Sequence, residues 1–426
     1  MPSPTPPSED RPLRLAYLSY RSKPTVGGQG IYTRHLTKAL ADLGHEVEVL
    51  SGQPYPVLDS RVRLTQLPSL DIFNDLYPGR MPAFWELKSL SDLIEVTQYS
   101  AGTFSEPLAF SHRAYRALKP RTAEFDLVHD NQCLGYGVLA INKILPTVVT
   151  LHHPITVDRR LEMAAAPNWH KRISIARWYG FVKMQGRVAR HMPRIVVVSE
   201  NSIDDISRDM GVERARMRLV HVGVDTDLFQ PQPGVARIPG RLITTASADV
   251  ELKGLRFLLE AIAKLRTERE VSLTVIGRAK PGGRAAELID RLGLTDAIEF
   301  VTGVPDERIV ELYAQSELAV VPSLYEGFSL PAVEAMATGT PLVATTGGAL
   351  PEVTGTDGDT VLQCRPGDPD SLVAALRRGL EDPDLRARLG ASGRARVTER
   401  YTWRLTAQRT VEQYREVLAM RAAAGC

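Results

Sequence analysis

Short apolar runs alternate along this chain with longer stretches whose apolar residues recur every three or four positions. Leu13 to Tyr20 predicts a buried strand. Ile31, Leu36, Ala39, Leu40 and Leu43 then share one face of a helix that Gly44 closes, and His45 to Ser51 predicts the next strand. Further strands are expected at Phe125 to Asn131, Thr147 to Leu151 and Ile195 to Ser199, with a short helix over Asn201 to Met210. The alternation restarts at Arg241 to Ala246 and continues through Val271 to Gly277, Ile298 to Gly303 and Leu318 to Pro322. Helices are expected between these strands, then over Asp368 to Glu381, Pro383 to Tyr401 and Trp403 to Met420. Apolar strands separated by amphipathic helices predict an α/β fold with parallel strands.

A chain of 426 residues is too long for one ordinary core, so two domains are expected. Gln230 to Gly240, rich in proline and glycine, reads as the connector between them. The resulting division is a tail over 1–11, an N-terminal domain over 12–222, a linker over 223–240, a C-terminal domain over 241–402 and a last helix over 403–426. The N-terminal MPSPTPPSEDR lacks a basic segment followed by an apolar one and reads as a disordered tail rather than a signal peptide. With 43% hydrophobic and 24% charged residues the composition is that of a soluble globular protein, and a net charge of +2 gives no case for a nucleic-acid partner. Cys133, Cys364 and Cys426 are few and in no metal spacing, which suits a reducing, cytoplasmic compartment. No apolar run approaches the roughly 20 residues that span a bilayer. Arginine far outnumbers lysine, which hints at a GC-rich, bacterial genome.

The chemistry concentrates in Tyr325 to Gly339, YEGFSLPAVEAMATG. Pro331 suits the first turn of a helix and Gly339 its end. The free N–H groups around Gly327, Phe328, Ser329 and Leu330 would converge with the positive end of the helix dipole, a site for phosphate oxygens. Glu326 and Glu334 flank it; carboxylates beside phosphates accept hydrogen bonds from neighbouring hydroxyls, so a sugar on each side of a diphosphate is the expected ligand. Gly28 and Gly30 lie in a β–glycine loop–α unit that brings backbone close to a phosphate, but Thr33 stands where a dinucleotide fingerprint has its third glycine. His129-Asp130-Asn131 and His152-His153 follow strands, where open α/β sheets bind ligands. Asp225 and Asp227 form a DxD pair in an interdomain turn, where the metal reading is rejected. Two stretches stay open. Asp71 to Pro120, irregular and aromatic, is either packing over the sheet or an acceptor-specific wall. Trp169 to Arg194 is either a helix with Ile173, Trp178, Phe181, Val182 and Val188 on a core face, or an interfacial helix meeting anionic lipid.

The run EGFSLPAVEAMATGTPLVA resembles the signature of the retaining nucleotide-sugar glycosyltransferases of family 4, the glycosyl transferases group 1. Gly223-Val224-Asp225 through Phe229 is similar to that family's crossover segment. The resemblance covers nearly the whole chain past the tail except Asp71 to Pro120. It implies a GT-B fold: two Rossmann-like domains facing across a cleft, with the C-terminal helix crossing back to the N-terminal domain. It implies metal-independent transfer of a sugar from a nucleotide diphosphate to a glycan, lipid or small-molecule acceptor, with no cofactor and no bound metal. Glu334 would hold the ribose hydroxyls, Glu326 the transferred sugar, Lys253 the diphosphate, and His152 would lie near the reacting face. Gly28 and Gly30 would border the donor phosphates and the acceptor, and the backbone at Gly303 and Val304 would read the base. The family places an arginine five residues before the lysine; here that position is Ala248, and Arg278 is a candidate to supply the charge. Peripheral contact with the inner face of a membrane through 169–194 would suit a lipid acceptor. A GT-B sugar-nucleotide epimerase and a non-catalytic nucleotide-sugar binding protein are the alternatives.

Overall fold

The structure, a computed structural model, describes residues 11–23, 28–74, 77, 79–246, 248 and 250–424. Most of the expected tail, Gly27, Ser247, Asp249 and Cys426 lie outside the described residues. The chain divides into two compact units: 1–198 with 202–220 and 403–426, and 199–201 with 221–402.

Among the described residues, the first unit carries seven strands: β1 (Arg14–Ser19), β2 (Glu46–Ser51), β3 (Arg63–Gln66), β4 (Leu127–Asn131), β5 (Thr147–Leu151), β6 (Arg194–Val197) and β7 (Met217–Leu219). They form one parallel sheet in the order β3-β2-β1-β4-β5-β6-β7. β1 is central, with Leu15 opposite both Val47 and Leu127, and its residues are buried from Leu15 to Ser19. The strand order reverses between β1 and β4, so the loops leaving these two strands diverge and open a crevice at the carboxyl edge. The helix Trp403–Ala424 belongs to this unit. Trp403 stacks on His35 at 5.3 Å, and the buried Tyr414 hydroxyl lies 2.5 Å from His129 Nδ1.

Two stretches depart from expectation. Asp71 to Pro120 is not irregular throughout: it contains the helices Leu90–Ser100 and Glu106–Leu118, the first capped by the Ser89 side chain. Phe73, Phe104, Trp178 and Phe181 pack ring against ring and tie this insertion to the body, whereas Tyr77, Phe84 and Trp85 stay exposed. Trp169 to Arg194 is not one amphipathic helix. It breaks at Tyr179 and Gly180 into Trp169–Trp178 and Phe181–Ala189. Phe181, Val182 and Val188 are buried as expected, but Ile173 and Trp178 are exposed, and in the first piece Ile175 is the buried residue. The break turns the two faces out of register, so no continuous apolar stripe runs the length of the segment. No helix among the described residues is long and apolar enough to cross a membrane.

The second unit carries β8 (Ile238–Thr245), β9 (Ser272–Ile276), β10 (Ile298–Val301), β11 (Ser316–Val321), β12 (Leu342–Thr345) and β13 (Leu362–Cys364), again all parallel, in the order β10-β9-β8-β11-β12-β13. Leu258, Ile262, Leu273, Leu318, Val343 and Leu376 build its core. The expected linker 223–240 is part of this unit rather than a free connector. Val224 N donates to the Tyr401 carbonyl at 2.8 Å, Phe229 is buried, and the Arg394 guanidinium donates to the carbonyls of Thr226 and Phe229. Asp225 caps its own turn, accepting from the amides of Asp227 and Leu228. β8 also starts earlier than expected, because Ile238 pairs with Ser316 ahead of a bulge where Gly240 adopts φ 70° and its amide donates to Glu317 Oε2 at 2.7 Å.

Candidate active site

In the second unit the strand order reverses between β8 and β11. The chain leaving β8 carries Lys253 and the chain leaving β11 carries Glu326, so both reach the crevice at the carboxyl edge of the sheet. Lys253 ends a short turn, Glu251–Lys253, and Gly254 follows at φ 65°. A Cβ on Gly254 would lie 2.0 Å from the Pro322 carbonyl, so only glycine lets the two chains approach. Leu324 N then donates to the Leu252 carbonyl at 2.8 Å, and Lys253 Nζ donates to Glu326 Oε1 at 2.9 Å.

Glu326 is held from two further sides. Ser323 Oγ donates to the same carboxylate oxygen at 2.7 Å, and Thr345 in turn bonds the Ser323 carbonyl. The Glu326 carbonyl accepts from Ala349 N at 2.8 Å, and Glu326 bridges Gly348 in parallel. Cβ atoms on Gly347 and Gly348 would meet the carbonyls of Leu324 and Glu326 at 2.5 and 2.4 Å. Thus the strand-to-helix turn after Thr345 is the wall that fixes Glu326. Ser323 was not singled out at all; its position three residues before a loop carboxylate was the available signal.

Past Gly327 the chain enters the helix Leu330–Ala337, with Pro331 in its first turn. The helix ends as expected: Gly339 is at φ 68°, Gly339 N donates to the Met336 carbonyl, and Thr340 N donates to the Ala335 carbonyl. Phe328 is buried against His221 and Tyr401. Ser329 sits at φ 91°, which side chains rarely adopt, and its buried Oγ has no partner among the described residues. Such strain persists where the surroundings over-determine it. Here it aims the start of the helix, whose first amides have no partner within it. Ser329→Gly should therefore stabilise the protein by about 1 kcal/mol, relieved strain and an orphaned hydroxyl outweighing the entropy that glycine adds to the unfolded chain. Thermal unfolding should show a Tm about 2–4 °C higher.

Glu334 lies one turn into the helix and is half-buried. Burial, and then the charge of Asp306, raise its carboxyl to about 7. Arg278 follows Gly277, whose backbone presses on the Ala246 carbonyl, and its exposed side chain makes no hydrogen bond or ion pair among the described residues. Gly303, at φ 69°, and Val304 follow β10 at the same edge of the sheet. Ala248 is buried in the apolar core of this unit.

Gly28, Gly30 and His152 belong to the first unit. Gly28 and Gly30 lie in the first turn of the helix Gly28–Asp42 rather than in a loop before it. Gly30 is required there, since a Cβ would lie 2.1 Å from the Lys23 carbonyl, whereas Gly28 has open space. His152 follows β5; its backbone N donates to Gln132 Oε1 at 2.7 Å and its Nε2 lies 2.8 Å from Asn131 Oδ1. Burial, and then His153, lower the His152 imidazole to about 3. His153 instead pairs with Asp158 at 2.9 Å. No group of three His, Cys, Asp or Glu able to hold a metal occurs among the described residues.

Comparison with known proteins agrees with this layout. Residues 235–396 match the family model described as glycosyl transferases group 1, and residues 26–228 match that of glycosyltransferase family 4. The chain is 51% identical to an MMP alpha-(1->4)-mannosyltransferase of Mycolicibacterium hassiacum, over 96% of this chain and 100% of that protein. It is 28% identical to a D-inositol 3-phosphate glycosyltransferase of Streptomyces avermitilis, over 95% and 88% respectively. In fold it is similar to sucrose-phosphate synthase from Thermosynechococcus elongatus, with a TM-score of 0.73 at 24% identity over 96% of this chain and all of that one. WaaG, a glycosyltransferase involved in lipopolysaccharide biosynthesis, gives 0.67 at 18% over 92% and 98%. With two parallel-sheet Rossmann-like domains, a signature loop built around Glu326 and an end-to-end match to a glycosyltransferase, this chain belongs to the family 4 glycosyltransferases, the glycosyl transferases group 1.

Proposed function

We propose that this glycosyltransferase moves an α-mannosyl group from a nucleotide-diphosphate mannose to a hydroxyl of a glycan acceptor, with retention and without a metal ion. The observation that carries the reading is the Lys253–Glu326 pair beside the strained start of the helix Leu330–Ala337, in a chain half identical along its length to an α-(1->4)-mannosyltransferase. An ammonium and a row of free amides are the means to bind a diphosphate and to neutralise the charge it gains on leaving. Lys253 and the 327–330 backbone hold it, with Arg278 as a second cation. Glu334 accepts from the ribose hydroxyls, and Gly303 and Val304 meet the base with their backbone. Glu326 accepts from hydroxyls of the mannosyl group, and the acceptor side falls to the first unit, with Gly28, Gly30 and His152.

An α product from an α-configured donor requires retention. The C1–O bond to the diphosphate breaks as the acceptor oxygen bonds to C1 from the same face, and the acceptor proton passes to the departing phosphate oxygen. Ser323 donates to Glu326 Oε1, and in this reading that carboxylate serves as a hydrogen-bond acceptor for the sugar rather than as a nucleophile. Trapping a mannosyl-enzyme would overturn this step. The test of the whole reading is calorimetric titration with UDP, GDP and ADP, each repeated with EDTA, followed by NMR of the product anomer. One nucleotide should bind with a Kd that EDTA leaves unchanged, and its mannose conjugate should yield an α linkage. Binding that requires a divalent metal, or a β product, would refute it.

A further inference from the structure

His152 is wired to the glycine turn of the first unit through Asn131 and Thr33, two side chains whose connection the sequence does not display. Asn131 ends β4 and is buried; its Oδ1 lies 2.8 Å from His152 Nε2 and its Nδ2 3.1 Å from Thr33 Oγ1. Thr33, also buried, has its Oγ1 2.8 Å from the Gln29 carbonyl and 3.4 Å from Ser19 Oγ. Threonine has one proton to give. The shortest of these contacts takes it, and that contact is the bond helical threonines commonly make to the carbonyl four residues back. Thr33 Oγ1 must then accept from Asn131 Nδ2, which leaves Asn131 Oδ1 facing His152 as an acceptor, so the proton of the imidazole sits on Nε2. Gln132, held at φ 56°, fixes the histidine backbone, and the Tyr32 ring stands edge-on to the imidazole at 4.6 Å. His152 Nδ1 has no hydrogen-bond partner among the described residues.

We propose that Asn131 is a positioning residue of the transfer reaction: it holds His152 as the Nε2–H tautomer and so presents Nδ1 as an acceptor for a sugar hydroxyl. The hydroxyl rests on the function proposed above; the tautomer does not. With its imidazole held at about 3, His152 carries a single ring proton at neutral pH, and the tautomer alone decides whether the open nitrogen gives or accepts. The titratable groups nearest it are Tyr32, His129 and His153, and burial with His152 also lowers His129 to about 3. Thr33, which displaces the third glycine of a dinucleotide fingerprint, thereby gains a purpose: its oxygen orients the amide that orients the histidine.

The test is nitrogen-15 NMR of ring-labelled histidine in the full chain, with steady-state kinetics, for wild type, Asn131→Ala, Asn131→Asp and Thr33→Val. Wild type should show the Nε2–H pattern for His152. Asn131→Ala should mix the tautomers and lower kcat about 10–100-fold, with KM for the sugar nucleotide changed far less. Asn131→Asp should keep the tautomer, raise the imidazole towards neutral pH and recover part of the rate with a new acid limb. Thr33→Val should mix the tautomers with Asn131 intact, and decides the matter if Asn131→Ala does not fold. An Nδ1–H pattern in wild type, or an Asn131→Ala enzyme with unchanged tautomer and rate, would overturn the proposal. Absence of transfer by wild type would instead strike the proposed function and leave the NMR result to judge the relay.

Discussion

Lys253→Ala is expected to lower kcat/KM by about 10²–10³-fold, the usual effect of removing one group that meets developing charge in the transition state. Lys253 is the cation that the structure holds beside the start of the helix Leu330–Ala337, on a turn that Gly254 and the Leu252–Leu324 backbone bond press against the end of β11. Its ammonium bonds Glu326 Oε1. A diphosphate would compete for that ammonium, so the two partners of the pair should fail in opposite ways. In Lys253→Ala, nucleoside diphosphate should bind about 10–100-fold more weakly, because a charge-assisted bond worth about 1.5–3 kcal/mol is gone. In Glu326→Ala the lysine is released, and the same nucleotide should bind as well as to wild type or better while transfer is lost, since the sugar-holding group is missing. Stability should move little in Lys253→Ala, by roughly 1 kcal/mol, because the lysine is about a third exposed and Ser323 still donates to Glu326. Titration of both variants with nucleoside diphosphate, beside steady-state rates, checks this. A Lys253→Ala enzyme within tenfold of wild type, or matched losses of nucleotide affinity in both variants, would remove the diphosphate from Lys253.

The features that were legible in the sequence are those with local causes. The helix Leu330–Ala337 is announced by Pro331 and Gly339 at its two ends, and it lies where they put it, because missing donors and left-handed glycines act through their own backbone. Most interior strands were legible because they are runs of apolar residues, as a parallel sheet covered by helices demands, whereas β3, Arg63–Gln66, is mostly polar and largely exposed and carries no such signal. What escaped depends on chain segments that meet only after folding. Ser323 and the Gly347–Gly348 turn support Glu326 across a strand switch that sequence order does not display. The relay from His152 to Thr33 spans β1, β4 and β5 loops, and its members look like ordinary buried polar residues one by one. The break in Trp169 to Arg194 was hidden for a different reason. The apolar spacing of Ile173, Trp178 and Phe181 fits one continuous helix, and only the turn at Tyr179–Gly180 separates the exposed piece from the buried one. The connector after Gly223 follows a fixed path that Arg394 pins by two of its carbonyls, contacts made only after folding.

Glu334→Gln should act with opposite signs on the empty and the occupied protein. Burial and the charge of Asp306 raise the Glu334 carboxyl to about 7, well above its ordinary value. A carboxyl raised in the folded state holds its proton more tightly there than in the unfolded chain, so folding is penalised once the unfolded group has ionised. That penalty begins near pH 4.5 and grows until the folded group ionises at about 7. Glutamine cannot ionise, so the substitution should raise the Tm of the ligand-free protein at pH 8 and leave it unchanged at pH 4. Donor binding needs the reverse. An ionised carboxylate accepts from both ribose hydroxyls, whereas the acid retains less acceptor capacity. Wild-type affinity for the nucleotide sugar should therefore fall about tenfold from pH 8 to pH 6, as the ionised fraction of a group with this pKa drops by that factor. The nucleotide sugar is the right probe, since its diphosphate is esterified at both ends and does not itself titrate in this range. Glu334→Gln should bind it about 10–100-fold more weakly at pH 8 and with no pH dependence. Asp130 and Glu106 are also raised to about 7, both by burial, but they lie in the first unit, so the flat profile of the glutamine variant assigns the effect to Glu334. A wild-type affinity that is level between pH 6 and 8, or a variant that keeps the slope, would show that Glu334 does not receive the ribose.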